Sequence, residues 1–123
     1  MKRDMDLVRK ILLAMEPWEH QSGFVQAFTF TDYDQRVIGH HVWLMGQGDL
    51  ITAMPVTVVG SEPPVALPLA ITWAGHEFLD AVRDDIIWHD VKRRLKAEGL
   101  SLPSTLLQEL ALRLLAEQVD LQP

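Results

Sequence analysis

Residue types capable of chemistry fall in a few places along the chain. His76 and Glu77 are followed by Asp80, giving the spacing HExxD. A helical zinc-protease motif needs a second histidine where Asp80 stands, so the match is broken. Asp80 and Asp84 share a helical face with His76, and Asp85 precedes His89 by four residues. Such pairs can hold a cation, but carboxylates at these spacings also serve as helix caps and solvated surface. His40 and His41 are adjacent and therefore point in different directions on a helix, at about 100° per residue. His41 is expected to face the core as a satisfied interior histidine. The sequence has no Gly-rich phosphate loop, no nucleophile paired with a base, and no cysteine. The expectation is a protein without catalytic residues, cofactor or metal.

A second kind of chemistry is recognition of a polyanion. A helix expected over residues 33–45 carries Gln35, Arg36 and His40, with Gln47 just beyond, and Gln and Arg can read base edges. The densest positive run is Val91-Lys92-Arg93-Arg94-Leu95-Lys96, which offers Lys92, Arg93 and Lys96 as candidate phosphate contacts. Cations near a helix C-terminus are also favoured by the dipole, and Arg94 and Glu98 are spaced for an i,i+4 pair. Between Pro17 and Gly75 the one cation is Arg36, against Glu19, Asp32, Asp34, Asp49 and Glu62. Phosphate contacts supply much of nucleic-acid affinity and need cations. The acidic middle disfavours DNA and leaves protein contacts as the leading reading.

The elements that must position these residues can be read in order. The chain has 123 residues, 48% hydrophobic, enough for one domain with a real core. Net charge is −6, and no apolar run is long enough to span a bilayer. The composition suits a reducing cytoplasm. A first helix is expected over residues 4–15, with Leu7, Ile11 and Ala14 at helical spacing and Pro17 ending the run. Phe24 to Phe30 reads as a strand. Thr31 or Asp32 is the expected cap of the helix over 33–45, which Gly46 and Gly48 terminate. Residues 52–59 and 65–72 read as a hairpin around GSEPP, with Pro55 and Pro68 at edge or irregular positions.

A long helix is expected from His76 to Glu98, capped by Thr72 and stopped by Gly99. Its apolar residues do not form one stripe. Phe78, Val82 and Ile86 lie on one face, and Ile87, Val91 and Leu95 on another, about 100° away. Trp18 and Trp73 flank loops and are placed to cover the junction between the first helix and this one. A last helix over 104–119, with Thr105 and Gln108 in capping-box positions, is apolar on most of its circumference. Leu106, Leu110, Leu112, Leu115 and Val119 are its candidate dimer contacts.

Two stretches carry a family resemblance: the opening MKRDMDLVRKILLAME and the later TWAGHEFLDAVRDDIIWHDVK. Between them, Ile38-Gly39-His40-His41-Val42-Trp43-Leu44-Met45-Gly46-Gln47-Gly48-Asp49-Leu50-Ile51 is similar to a helix ending in a leucine and a Gly-Leu-Ile motif. Together, over most of residues 1–96, the chain resembles the bacterial and prophage family called domain of unknown function 2513. The resemblance implies a winged-helix-like form and a phage-related setting, and carries over no catalytic residue. A helix-turn-helix also needs a support helix, and between Pro17 and Asp32 the sequence offers only the strand-like FVQAFTF. The expected architecture is α+β: a winged-helix-like domain, core 4–98, with a β-hairpin wing over 52–72 and an additional C-terminal helix. The expected role is a phage-related or regulatory accessory protein working through protein contacts, as a homodimer or with another partner. The alternative is a DNA-binding transcriptional regulator using the 33–45 helix and the wing.

Overall fold

The computed structural model describes residues 2–18, 29–56, 63–98 and 103–120, with the side chains of 18, 98, 104, 119 and 120 outside that description. The fold is α+β, helices with a small antiparallel hairpin. It divides into two compact units, Met1–His76 and Glu77–Pro123.

The first unit opens with α1, Met5–Met15. Asp4 caps it: its Oδ1 accepts from the backbone N–H of Asp6 at 2.9 Å and of Leu7 at 3.3 Å. Leu7 and Ile11 of the expected stripe are in the core, joined by Val8, Leu12 and Met15, while Ala14 is half-buried. A 3₁₀ turn, Glu16–Trp18, carries the chain through Pro17. The strand expected over Phe24 to Phe30 lies mostly outside the described residues; Thr29 and Phe30 are irregular. The stretch where a helix-turn-helix would need its support helix falls there too.

Helix α2 spans Gln35–Gln47. Its cap is Asp34, not Thr31 or Asp32: Asp34 Oδ1 accepts from the Arg36 N–H at 2.8 Å. Thr31 and Asp32 instead form a turn in which Tyr33 N–H donates to the Phe30 carbonyl at 3.2 Å. Gly46 stays inside the helix, and Gly48 is the C-cap, donating to the Leu44 carbonyl at 2.9 Å. Glycine inside α2 serves close packing. A Cβ on Gly39 would meet Val65 Cβ at 3.1 Å, and one on Gly46 would meet Ala53 Cβ at 3.0 Å. The two glycines are seven residues apart, on one helical face, and let the helix lie close against both strands.

Those strands are β1, Ile51–Val56, and β2, Val65–Ile71, paired antiparallel. Thr52 pairs with Ala70 and Ala53 with Pro68, so Leu69 is the extra residue of a bulge. Both strands are edges of a two-stranded sheet, which is where proline is tolerated, and Pro55 and Pro68 sit within them. The hairpin tip, residues 57–62, lies outside the described residues. Asp49, at φ 61°, makes the tight exit from α2. Leu50 then answers the next element: its carbonyl accepts the Thr72 N–H at 3.1 Å.

Helix α3, Trp73–Val82, begins as expected at Thr72, whose Oγ1 accepts from the Gly75 N–H at 3.0 Å. Helix α4 follows as a separate element, Asp85–Glu98. The single long helix expected from His76 to Glu98 is therefore two helices. Asp84 is the reason: its Oδ1 accepts from Ile86 N–H at 2.8 Å and Ile87 N–H at 3.1 Å, and its carbonyl accepts from Trp88 N–H at 2.9 Å. A side chain that satisfies the orphan donors of a new first turn makes a new helix start. The break also reassigns Ile86. Its spacing groups it with Phe78 and Val82, which are buried, but it is 69% exposed.

In the second unit, α4 packs on α5, Ser104–Asp120. Ile87, Trp88 and Val91 are buried on α4, and Leu107, Ala111 and Leu114 on α5. Thr105 lies within the first turn of α5 rather than at its cap; the Pro103 carbonyl accepts from both Leu106 and Leu107 N–H at 3.0 Å.

Candidate functional site

Four of the side chains singled out for chemistry, His40, His41, Asp80 and Asp84, are held in structural roles. His41 is fully buried. Its Nδ1 lies 2.8 Å from the Val37 carbonyl, and its Nε2 lies 2.9 Å from the Asp4 backbone N–H. A carbonyl only accepts and an N–H only donates, so the tautomer is set: Nδ1 carries the proton and Nε2 accepts. His41 thus ties α2 to the cap of α1. Tyr33 meets the same cap, donating its hydroxyl to Asp4 Oδ2 at 3.1 Å. Lys10 Nζ lies 5.4 Å from the centre of the Tyr33 ring. The Tyr33 hydroxyl is pushed up to about 12, first by burial and then by the negative charge and hydrogen bond of Asp4.

His40 is 7% exposed; its Nδ1 donates to the Pro64 carbonyl at 2.8 Å and its ring stacks on Trp43 at 5.7 Å. A neighbouring helix and hairpin are joined by this histidine, which the sequence offered as a base contact. Gln35 and Arg36 are exposed at one end of α2, and Gln47 at the other. No residue from Val37 to Gly46 is exposed. The exposed ends are about 18 Å apart, at about 1.5 Å per residue.

On α4, Arg93 pairs with Asp90, and Arg94 Nε lies 3.8 Å from the same carboxylate. Lys96 is exposed and Lys92 is half-buried. The Glu98 side chain, expected to pair with Arg94, lies outside the described residues. Asp80 pairs with Arg83 at 3.2 Å, and Asp84 caps α4. Among the described residues, no group of three or more His, Cys, Asp or Glu is placed to hold a metal ion. Nor does any buried side-chain nitrogen or oxygen among them lack a partner. No helix among them is long and apolar enough to cross a membrane.

Large apolar side chains, by contrast, are left in water. Trp73 is 82% exposed at the first position of α3. It covers no junction, contrary to its expected role, because the Thr72 cap and the close approach of Gly75 to Leu50 fix the helix start with residue 73 outward. Met54 and Leu69 are exposed on the hairpin, Leu69 because the bulge sets two consecutive residues, Leu69 and Ala70, outward. Sequence alternation alone could not show this, since a bulge moves the strand's periodicity by one residue. On α5, Leu106 and Leu112 are exposed, Leu110 and Leu115 half-buried, and the Val119 side chain lies outside the described residues. Leu106 and Leu112 are about 120° apart around the helix, with Glu109 and Arg113 between them and Glu117 just beyond Leu106.

Comparison with known proteins adds kinship. An uncharacterized protein of Haemophilus influenzae (strain Rd) is 30% identical over 119 residues, covering 97% of this chain and 99% of its own length. No solved structure matches the chain. The family described as "Hypothetical protein (DUF2513)" matches residues 2–101, spanning both stretches that carried the resemblance, and the chain belongs to that family.

Proposed function

We propose that this chain is a non-catalytic, winged-helix-like accessory protein, phage-related or regulatory, that acts in the cytoplasm through protein contacts. The observation that carries the reading is Trp73, 82% exposed on a rigidly anchored helix start. Met54 and Leu69 supply further exposed apolar area within the same unit. Tryptophan is enriched among residues that dominate binding energy, and large apolar groups left in water gain most from being covered. Of the side chains singled out for chemistry, His40 and His41 are engaged as ties, Asp80 in an ion pair and Asp84 as a cap, which supports a binding role. Self-association is part of the proposal, through Leu106 and Leu112 with Leu110, Leu115 and Val119 on α5.

A second reading is favoured by one observation. Gln35 and Arg36 are exposed in the first turn of α2, the part of a recognition helix that meets base edges, and a hairpin follows α2 in the chain, the order a wing would have. In that reading the protein is a DNA-binding regulator. Lys92, Arg93 and Lys96 would add phosphate contacts. The readings separate by gel shift on genomic fragments flanking the gene, comparing wild type with Arg36→Ala and Trp73→Ser. Protein binding expects no sequence-specific shift in any of the three. A specific shift lost in Arg36→Ala and kept in Trp73→Ser would establish the second reading.

A further inference from the structure

An open cleft of about 280 Å³ lies between the C-terminal end of α2 and the hairpin, lined among others by Trp43, Gln47, Asp49, Thr52, Pro55 and Thr72. All of these belong to the first unit. The volume lies below the range of pockets that hold drug-sized ligands, about 300–1,000 Å³. A space of that size has room for one inserted side chain.

We propose that this cleft receives a lysine or arginine side chain presented by a partner polypeptide. Charge points that way first. No cation among the described residues lines the cleft, and the one cation between Pro17 and Gly75, Arg36, sits at the opposite end of α2, about 16 Å along the axis. Asp49 lines it, and its side chain is exposed. Helix geometry points the same way. Trp43 and Gln47 are one turn apart on α2, next to its C-terminus, where the helix dipole favours positive charge. Trp43 supplies a π surface for an ammonium or guanidinium group. Its ring is held in place by the stacked His40, itself anchored to the Pro64 carbonyl. Pro55 and the indole offer apolar walls for the methylene stem, and the Gln47 amide can accept a hydrogen bond from the charged head. An anion would be repelled by Asp49 with no cation among the described lining residues to offset it, and a neutral apolar side chain would leave that carboxylate unused.

The test is a titration of the full chain followed by amide and indole nitrogen–proton correlation spectra. The probes are acetylated, amidated Gly-Lys-Gly and Gly-Arg-Gly, the neutral isostere with norleucine at the centre, and free cadaverine. The lysine or arginine peptide is expected to shift the Trp43 indole N–H and the Gln47 side-chain amide. Its affinity should exceed that of the norleucine peptide by about fivefold or more. Asp49→Asn removes the charge and keeps the left-handed backbone found at this position, since asparagine tolerates that region. The variant is therefore expected to fold normally and to lose about threefold in affinity, within the range for an exposed ion pair. Equal binding of the norleucine peptide, absence of shifts at Trp43 and Gln47, or unchanged affinity in a folded Asp49→Asn protein would overturn the assignment. Cadaverine binding as tightly as the peptides would overturn the assignment to a polypeptide partner. Should Asp49→Asn not fold, the comparison of lysine with norleucine on wild type still decides.

Discussion

Replacing Gly75 with alanine is the sharpest perturbation of the frame that holds Trp73. A Cβ built on Gly75 would stand 1.9 Å from the Leu50 carbonyl oxygen and 2.8 Å from Ile71 Cγ2. The oxygen belongs to backbone, so no rotamer change relieves the clash. It also accepts the Thr72 N–H at 3.1 Å, a bond that must lengthen if the two segments part. Forcing a methyl into such a site costs about 1–3 kcal/mol, toward the upper end for a backbone neighbour. Loss of the hydrogen bond adds about 1 kcal/mol. Against this, alanine gains at most about 1 kcal/mol of helix propensity over glycine. The net expectation is about 3 kcal/mol of destabilisation, a melting temperature lower by roughly 10 °C. Gly48→Ala is the control. Its nearest neighbour is the Leu44 carbonyl oxygen at 3.5 Å, an ordinary contact, so it should melt close to wild type. Gly39→Ala and Gly46→Ala should fall between, their tight contacts with Val65 and Ala53 partly offset by propensity. Thermal unfolding followed by circular dichroism reads all four. If Gly75→Ala melts with wild type, or below it by no more than Gly48→Ala does, the close approach of α3 to Leu50 is wrong.

His41→Leu leaves the Asp4 N–H without its acceptor; urea unfolding should show a loss of about 2 kcal/mol, within the range for an abandoned, partly buried donor. Tyr33 has a folded-state value of about 12 against an ordinary 10, so its contribution is complete below pH 10 and is lost as pH rises from about 10 to about 12. Wild type should therefore lose stability relative to Tyr33→Phe across that window and not below it, as read by parallel denaturant melts at stepped pH. Light scattering is expected to give a dimer mass for wild type and a monomer mass for Leu112→Asp; a monomeric wild type would remove the α5 self-association while leaving binding of another partner intact.

The parts of the fold written in local pattern were legible in the sequence. The α1 stripe, the stop at Pro17 and the Thr72 cap each depend on residues close in sequence, and the structure places them as read. His41 as a satisfied interior histidine was legible for the same reason, although its partner Asp4, thirty-seven residues away, was not. What escaped was competition between neighbouring signals. Asp84 is both a helix residue and a cap, and periodicity could not say which; two faces about 100° apart are the trace of the break, and equally fit one helix with two contacts. Asp34 won over Asp32 as the cap of α2 for a similar reason. The surface was least legible. Exposure of Trp73 follows from Gly75 touching Leu50, and exposure of Leu69 from a bulge, both set by pairing across the chain.

The most direct test of a binding role resting on the exposed apolar surface is affinity capture from nuclease-treated native cells with wild type, Trp73→Ser and Arg36→Ala in parallel. The expected result is a protein partner that survives nuclease, is retained by Arg36→Ala, and is lost or reduced about tenfold or more by Trp73→Ser, the scale of a central aromatic contact. Capture that depends on Arg36 and nucleic acid and is indifferent to Trp73 would contradict it.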